Sequence, residues 1–115
     1  MAKRRILVVE DDDVLANKYR SALCAVGFEV DVTGDGIAAL DDIDTDRPDL
    51  VVLDMHLTPI GGERLLSEVA ATPATRDIPV IVVAGANDAA PAGRAILRKP
   101  CDPVDLVALV SQTLQ

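Results

Sequence analysis

The apolar residues of this chain form short continuous runs that alternate with stretches of helical spacing. The short runs predict five β-strands, over residues 6–9, 28–33, 50–53, 80–83 and 95–98. The spacing between them predicts helices over residues 14–26, 37–43 and 63–71, and a last helix that Asp102 caps with Pro103 at its first position. Strands that alternate with helices specify an α/β fold, in which helices cover both faces of a parallel sheet. We therefore expect one doubly wound domain over residues 1–115.

Ionisable residues follow three of these strands at the point where each strand ends. Glu10 and Asp11 follow the first strand, Asp54 follows the third, and Lys99 follows the fifth. Because open α/β sheets bind ligands at the carboxyl ends of their strands, we expect these four side chains to line one crevice. Clustered carboxylates repel each other unless a cation shares the site. The pattern therefore predicts a site for Mg²⁺ and an anionic group, and a phosphoryl group fits the adjacent lysine best.

Charge and composition limit the classes of partner. The chain has 11 Lys and Arg residues against 19 Asp and Glu residues, a net charge of −8. Nucleic-acid binding requires a basic footprint, and the only basic run covers residues 3–5. No apolar stretch approaches the roughly 18 residues of a membrane span, and no signal peptide is recognisable. We expect a cytoplasmic protein that binds neither nucleic acid nor membrane.

Two cysteines are too few for a disulfide framework and lack the spacing of metal ligands. Cys24 lies between Leu23 and Ala25 in the first predicted helix, so we expect a small buried hydrophobic side chain there.

Four motifs in this order resemble the receiver domain of two-component response regulators. They are residues 6–12, which end in two acids after Glu10; residues 48–54, which end in Asp54; the loop from Pro59 to Gly62; and Lys99-Pro100. The resemblance extends over residues 3–114 and is closest in type to chemotaxis regulators. It implies a flavodoxin-like five-stranded sheet of order 2-1-3-4-5. It also implies that the Lys99–Pro100 peptide is often cis.

The resemblance implies a role for each site residue. Asp54 would be the phosphoacceptor and a metal ligand, Asp11 a direct Mg²⁺ ligand, and Glu10 an acid acting through metal-bound water. The backbone carbonyl of His56 would supply another ligand, while its side chain is expected to face solvent. Lys99 would pair with the acceptor carboxylate and then with the phosphoryl oxygens. These parts match the nucleophile, divalent cation and second positive charge that phosphoryl transfer requires.

The partners that the resemblance implies are a sensor histidine kinase or phosphotransfer protein and a downstream protein target. Catalysis would be limited to the chain's own phosphorylation and dephosphorylation. Dimerisation stays open, as does the choice between a single-domain regulator and a receiver that belongs to a longer protein.

Three positions depart from the family pattern. The Thr or Ser that usually contacts the phosphoryl group is Ala84, and the usual aromatic switch residue of the fifth strand is Ile96. The segment from Ala84 to Lys99 is shorter than usual by about two helical turns. We therefore expect a fourth helix that is short or missing, and an atypical receiver whose moving elements are residues 55–62 and 85–93.

Two other readings compete with a working receiver. A receiver that is no longer phosphorylated could act as a constitutive docking module, and the changes at Ala84 and Ile96 motivate this alternative. Asp11-x-Asp13 also resembles the nucleophile motif of haloacid-dehalogenase-type phosphatases, but no late acidic pair fits that class and Asp54 would be unexplained. A flavin carrier is excluded because no phosphate-binding loop rich in Gly, Ser or Thr follows the first strand.

Overall fold

A computed structural model describes residues 3–57, 61–89, 91 and 94–115. The strands are β1 (Arg5–Val9), β2 (Glu29–Thr33), β3 (Leu50–Asp54), β4 (Val80–Ala84) and β5 (Ala95–Arg98). The helices are α1 (Asp13–Ala25), α2 (Gly36–Thr45), α3 (Gly62–Ala71) and α4 (Pro103–Thr113). All neighbouring strands pair in parallel, in the order β2-β1-β3-β4-β5. The predicted doubly wound fold and strand order are confirmed.

The two central strands β3 and β4 are buried over their whole length, which explains their continuous apolar sequence. Alternate residues of each strand point to opposite faces of the sheet. Leu53 packs in a cluster with residues of α2 and α3, such as Leu65. Val52 packs in a second cluster with residues of α1 and α4, such as Leu106. Packing on both faces stabilises the sheet, and the carboxyl ends of β1, β3 and β5 therefore lie together at one edge of it.

Acidic residues determine where three of the helices begin. Asp12 caps α1, accepting hydrogen bonds from the backbone N–H groups of Val14 and Leu15 at 2.9 and 3.2 Å. Asp35 and Asp102 cap α2 and α4 in the same way. The predicted cap at Asp102, with the proline that follows it, is confirmed.

The connection between β4 and β5 differs from the other crossovers. None of its described residues (85–89, 91 and 94) is helical, and the residues of β5 are intermediate or exposed rather than buried. This agrees with the expectation of a fourth crossover helix that is short or missing, so α4 here is the helix after β5. The expected moving segments, 55–62 and 85–93, include residues outside the described ranges, among them Pro59 and Gly93.

Cys24 is exposed, so the prediction of a buried cysteine is wrong. The buried residues of α1 are Ala16, Tyr19 and Leu23, which follow each other at helical spacing. Cys24 comes one residue after Leu23 and is therefore turned about 100° around the helix axis, away from the core.

Among the described residues, every helix is too short or too polar to cross a membrane.

Candidate functional site

Three carboxylates meet at the carboxyl edge of the sheet, as predicted. Glu10 follows β1 and Asp54 ends β3, and their exposed fractions are only 2% and 3%. Asp11 is exposed beside them. One oxygen atom from each of the three side chains lies within 4.8 Å of the others. The parallel pairing of β1 with β3 produces this arrangement, because both strands end at the same level of the sheet.

Lys99 supplies the positive charge of the site. Its Nζ lies 3.2 Å from Asp54 Oδ2 and 3.7 Å from Glu10 Oε1. Its backbone N–H donates to the carbonyl of Ala84 at 2.7 Å, which joins the residue after β5 to the end of β4. The Lys99–Pro100 peptide is cis, as the resemblance implied. The structure therefore brings together all four side chains that the sequence placed in one crevice.

Burial and mutual repulsion give the two buried carboxyl groups, Glu10 and Asp54, different pKa values. Burial, together with the adjacent Asp54 carboxylate, raises the pKa of Glu10 to about 8. Burial also opposes ionisation of Asp54. This effect is outweighed by hydrogen bonds from the Glu10 carboxyl and the His56 N–H and by the charge of Lys99, so the pKa of Asp54 is lowered. Burial would lower the pKa of Lys99, but Asp54 and Glu10 raise it. In the absence of a cation the site thus holds an ionised Asp54, a charged Lys99 and a protonated Glu10.

One buried oxygen of this site has an unused acceptor position. Glu10 Oε1 makes no hydrogen bond to the described part of the chain, although it is fully buried. Lys99 Nζ, 3.7 Å away, gives this oxygen an ion-pair contact but no hydrogen bond, and a hard cation would compensate the remaining cost of its burial. Carboxylate oxygens from Glu10, Asp11 and Asp54 are the ligands that Mg²⁺ prefers, and Mg²⁺ keeps several waters when it binds two or three such groups. The residues present therefore fit a magnesium ion.

His56 contacts the acceptor through its backbone and a second acid through its ring. Its N–H donates to Asp54 Oδ1 at 3.1 Å. The side chain is 63% exposed, as expected, but its Nε2 also pairs with the carboxylate of Asp88. Sequence reasoning missed this contact. The available signal was that Asp88 is the only ionisable residue in an Ala-, Gly- and Pro-rich segment, residues 85–93.

The two switch positions lie where the resemblance placed them. Ala84 ends β4 and is completely buried, and its methyl group belongs to the cluster with Leu53 and Leu65. Ile96 in β5 is partly buried and packs against the same cluster. Neither side chain can donate a hydrogen bond, so neither can make a polar contact with a bound anion.

Comparison with known proteins gives the class to which this fold and site belong. A family model described as "Response regulator receiver domain" matches residues 6–111. The chain belongs to this family and has the receiver domain of a two-component response regulator.

Two relatives and two solved structures show the extent of the similarity. Protein Rrf1 of Nitratidesulfovibrio vulgaris is 34% identical, over 96% of this chain and 82% of that protein. Response regulator MprA of Mycobacterium avium is 32% identical, over 96% of this chain and 59% of that protein. A putative response regulator from Chloroflexus aurantiacus superposes with a TM-score of 0.91 at 30% identity, over 98% of each chain. The chemotaxis response regulator CheY4 of Vibrio cholerae shares the fold, with a TM-score of 0.88 at 20% identity, over 98% of this chain and all of that one.

Proposed function

We propose that the chain is a phosphorylation-dependent signalling receiver that accepts a phosphoryl group on Asp54 with Mg²⁺. The observation that carries the proposal is a buried carboxyl group, Asp54, that lies between two further acids and a lysine, and the lowered pKa of Asp54 favours its ionised form. A carboxylate in this state is a competent nucleophile for an acyl phosphate. The family membership supports the same chemistry.

In the proposed reaction one carboxylate oxygen of Asp54 forms a bond to phosphorus as the bond between phosphorus and the donor breaks. The donor leaves with the electron pair of that bond. His56 N–H holds Asp54 Oδ1, and this fixes the orientation of the carboxylate. Lys99 Nζ lies 3.2 Å from Asp54 Oδ2 and would stabilise the negative charge on the phosphoryl oxygens after transfer. Mg²⁺ held by Glu10, Asp11, Asp54 and the backbone carbonyl of His56 would neutralise further charge on the phosphoryl group.

The proposed phosphodonor is a sensor histidine kinase or a phosphotransfer protein, and the proposed recipient of the signal is a downstream protein. We further propose that the chain catalyses only its own phosphorylation and dephosphorylation. The chain spans 59% of MprA, so the activities and partners of longer regulators are not transferred to it.

A constitutive docking module remains the second candidate. It is favoured by Ala84 and Ile96, which cannot make the usual contacts that read the phosphoryl group. Against it stands the cluster itself, in which Glu10 and Asp54 are buried and Asp54 pairs with Lys99, because replacement of such buried polar groups would stabilise a domain that did not use them.

Intact-mass measurement after incubation with a small phosphodonor and Mg²⁺ separates the two candidates. The matched variants are Asp54→Asn, which removes the nucleophile, and Asp44→Asn, which removes an exposed acid of α2. We expect one added phosphoryl group on the parent and on Asp44→Asn, and none on Asp54→Asn. Absence of an adduct on the parent would favour the docking module. An adduct on Asp54→Asn would refute the assignment of Asp54.

A further inference from the structure

The carboxylate of Asp88 connects two loops that leave the candidate site. Its Oδ2 accepts a hydrogen bond from the backbone N–H of Gly85 at 2.7 Å and pairs with Nε2 of His56. The backbone N–H of Asp88 in turn donates to the carbonyl of Gly85 at 3.2 Å. We refer to residues 85–89 as the Asp88 turn. Arg98 at the end of β5 also holds this turn, because its Nη1 donates to the carbonyls of Gly85, at 2.8 Å, and of Asp88.

The register of the sheet places the Asp88 turn next to the acceptor. Asp54 is the register partner of Val83, and the N–H of Met55 donates to the carbonyl of Val83 at 3.1 Å. Gly85 lies two residues beyond Val83, and His56 lies two residues beyond Asp54. Asp88 therefore bridges the two chain segments that emerge side by side from the phosphoacceptor edge of the sheet.

Both donors that Asp88 occupies are suited to an anion. Backbone N–H groups at the end of a strand are general anion-binding groups, and the His56 ring adds a side-chain donor. The Asp88 side chain is only partly buried, and an aspartate in such a position is ionised at neutral pH. The chain thus presents its own negative charge to donors beside the position where a phosphoryl group would arrive.

We propose that the Asp88 carboxylate accepts hydrogen bonds from donors that a phosphoryl group on Asp54 would bind. Displacement of Asp88 by the phosphoryl group is then the conformational switch of this receiver. The inference rests on the proposed function. A phosphoryl group brings about two negative charges close to an existing carboxylate, and like charges in one site repel each other. The Gly85 N–H then exchanges the Asp88 carboxylate for a phosphoryl oxygen, the contact with His56 opens, and the Asp88 turn is released.

This device would replace the two switch side chains that the chain lacks. Ala84 offers no hydroxyl and Ile96 no aromatic ring, whereas the Gly85 N–H is a backbone group that every residue except proline supplies. The Asp88 turn lies in the connection that lacks a described helix, and within the described part of the chain the side chains of Asp88 and Arg98 hold it by hydrogen bonds. Loss of the Asp88 contacts would therefore alter this surface without unfolding the sheet.

Hydrogen exchange of the backbone amides in residues 85–89 tests the proposal directly on the parent chain. We expect faster exchange at residues 86–89 once intact mass shows the phosphoryl adduct, whereas the Gly85 amide stays protected because it donates to the phosphoryl oxygen. In Asp88→Ala, exchange should be fast both with and without the adduct. The exposed acid variant Asp44→Asn should behave like the parent.

The rate of phosphorylation gives a second readout. Removal of the competing charge-assisted contact should make Asp88→Ala accept a phosphoryl group about five- to tenfold faster than the parent. Asp88→Asn keeps an acceptor for the Gly85 N–H without the charge, so its rate should lie between the two. A thermal melt of each variant checks that the fold is retained.

The outcomes distinguish this inference from the function on which it rests. An adduct on Asp54 with unchanged or slower exchange in residues 86–89 would overturn the inference and leave the proposed function intact. No adduct on any variant would overturn the proposed function and the inference with it. Faster exchange in the parent, together with faster phosphorylation of Asp88→Ala, supports both.

Discussion

Gly62, the first residue of α3, is the position at which a single added methyl group should disturb the candidate site most. A Cβ atom there would lie 2.6 Å from Met55 Cα, 2.9 Å from Met55 Sδ and 3.0 Å from the carbonyl oxygen of Asp54. Carbon atoms normally approach to about 3.5–4.0 Å. The methionine sulfur can move aside, but two of the three atoms belong to the backbone that leaves β3. Gly62→Ala must therefore shift either the start of α3 or the residue that carries the acceptor carboxylate.

The size of the effect follows from two opposing contributions. Overpacking of this kind costs about 1–3 kcal/mol. Replacement of glycine by alanine inside a helix returns up to about 1 kcal/mol, and less at its first position. We expect Gly62→Ala to lower the free energy of unfolding by about 1–2 kcal/mol. The shift of the Asp54 backbone should also change the distance between Asp54 and Lys99 and slow phosphorylation.

Gly61 provides a matched control one residue away. A Cβ atom there would meet no atom within 4 Å in the part of the chain that the structure describes, and its backbone φ of −66° is allowed for any residue. Gly61→Ala should therefore change the stability by no more than about 0.5 kcal/mol. Urea unfolding of the parent and both variants, with equal slopes, measures the difference. The packing argument is refuted if Gly62→Ala is as stable as the parent, or if Gly61→Ala loses more.

Three further predictions concern the charges of the site. Millimolar Mg²⁺ should raise the melting temperature, since an ion at a hundredfold excess over its Kd adds about 2.7 kcal/mol, and Glu10→Gln should reduce this shift. Without Mg²⁺, stability should fall as the pH rises from about 4.5 to about 8, because folded Glu10 retains a proton that the unfolded chain releases. In Glu10→Gln, the free energy of unfolding from urea melts should depend less on pH over this range. An unchanged pH dependence in the variant would contradict the raised pKa of Glu10. Lys99→Met should lower the stability by about 1–3 kcal/mol at pH 7, because it leaves Asp54 buried without its ion pair, and a calorimetric melt measures this loss.

The sequence sufficed for the part of the site that depends on strands. Each of Glu10, Asp54 and Lys99 ends or follows a strand of the parallel sheet, so the fold class places their side chains at one edge of the sheet. The strand order that the family resemblance implied then brings them together. The aliphatic runs of β1 and β3 are long enough to make that fold class unambiguous. The predicted bounds of these strands differ from the structure by only one residue at an end.

The contact between His56 and Asp88 could not be derived in the same way. The two residues are 32 positions apart, and their contact depends on the path of a non-helical connection rather than on strand register. No periodic pattern specifies such a path. The prediction for Cys24 failed for a different reason. Its apolar neighbours in sequence point in other directions around the helix axis, and a linear run of hydrophobic residues does not show this rotation.

Identification of the residue that carries the phosphoryl group tests the account most directly. Treatment of the phosphorylated chain with hydroxylamine, followed by peptide mass mapping, converts an acyl phosphate into a hydroxamate at the modified carboxyl group. We expect one hydroxamate, at Asp54, formed only when Mg²⁺ is present during phosphorylation. A hydroxamate at Glu10 or Asp11, or a phosphoryl group on His56 that hydroxylamine leaves without a hydroxamate, would contradict it.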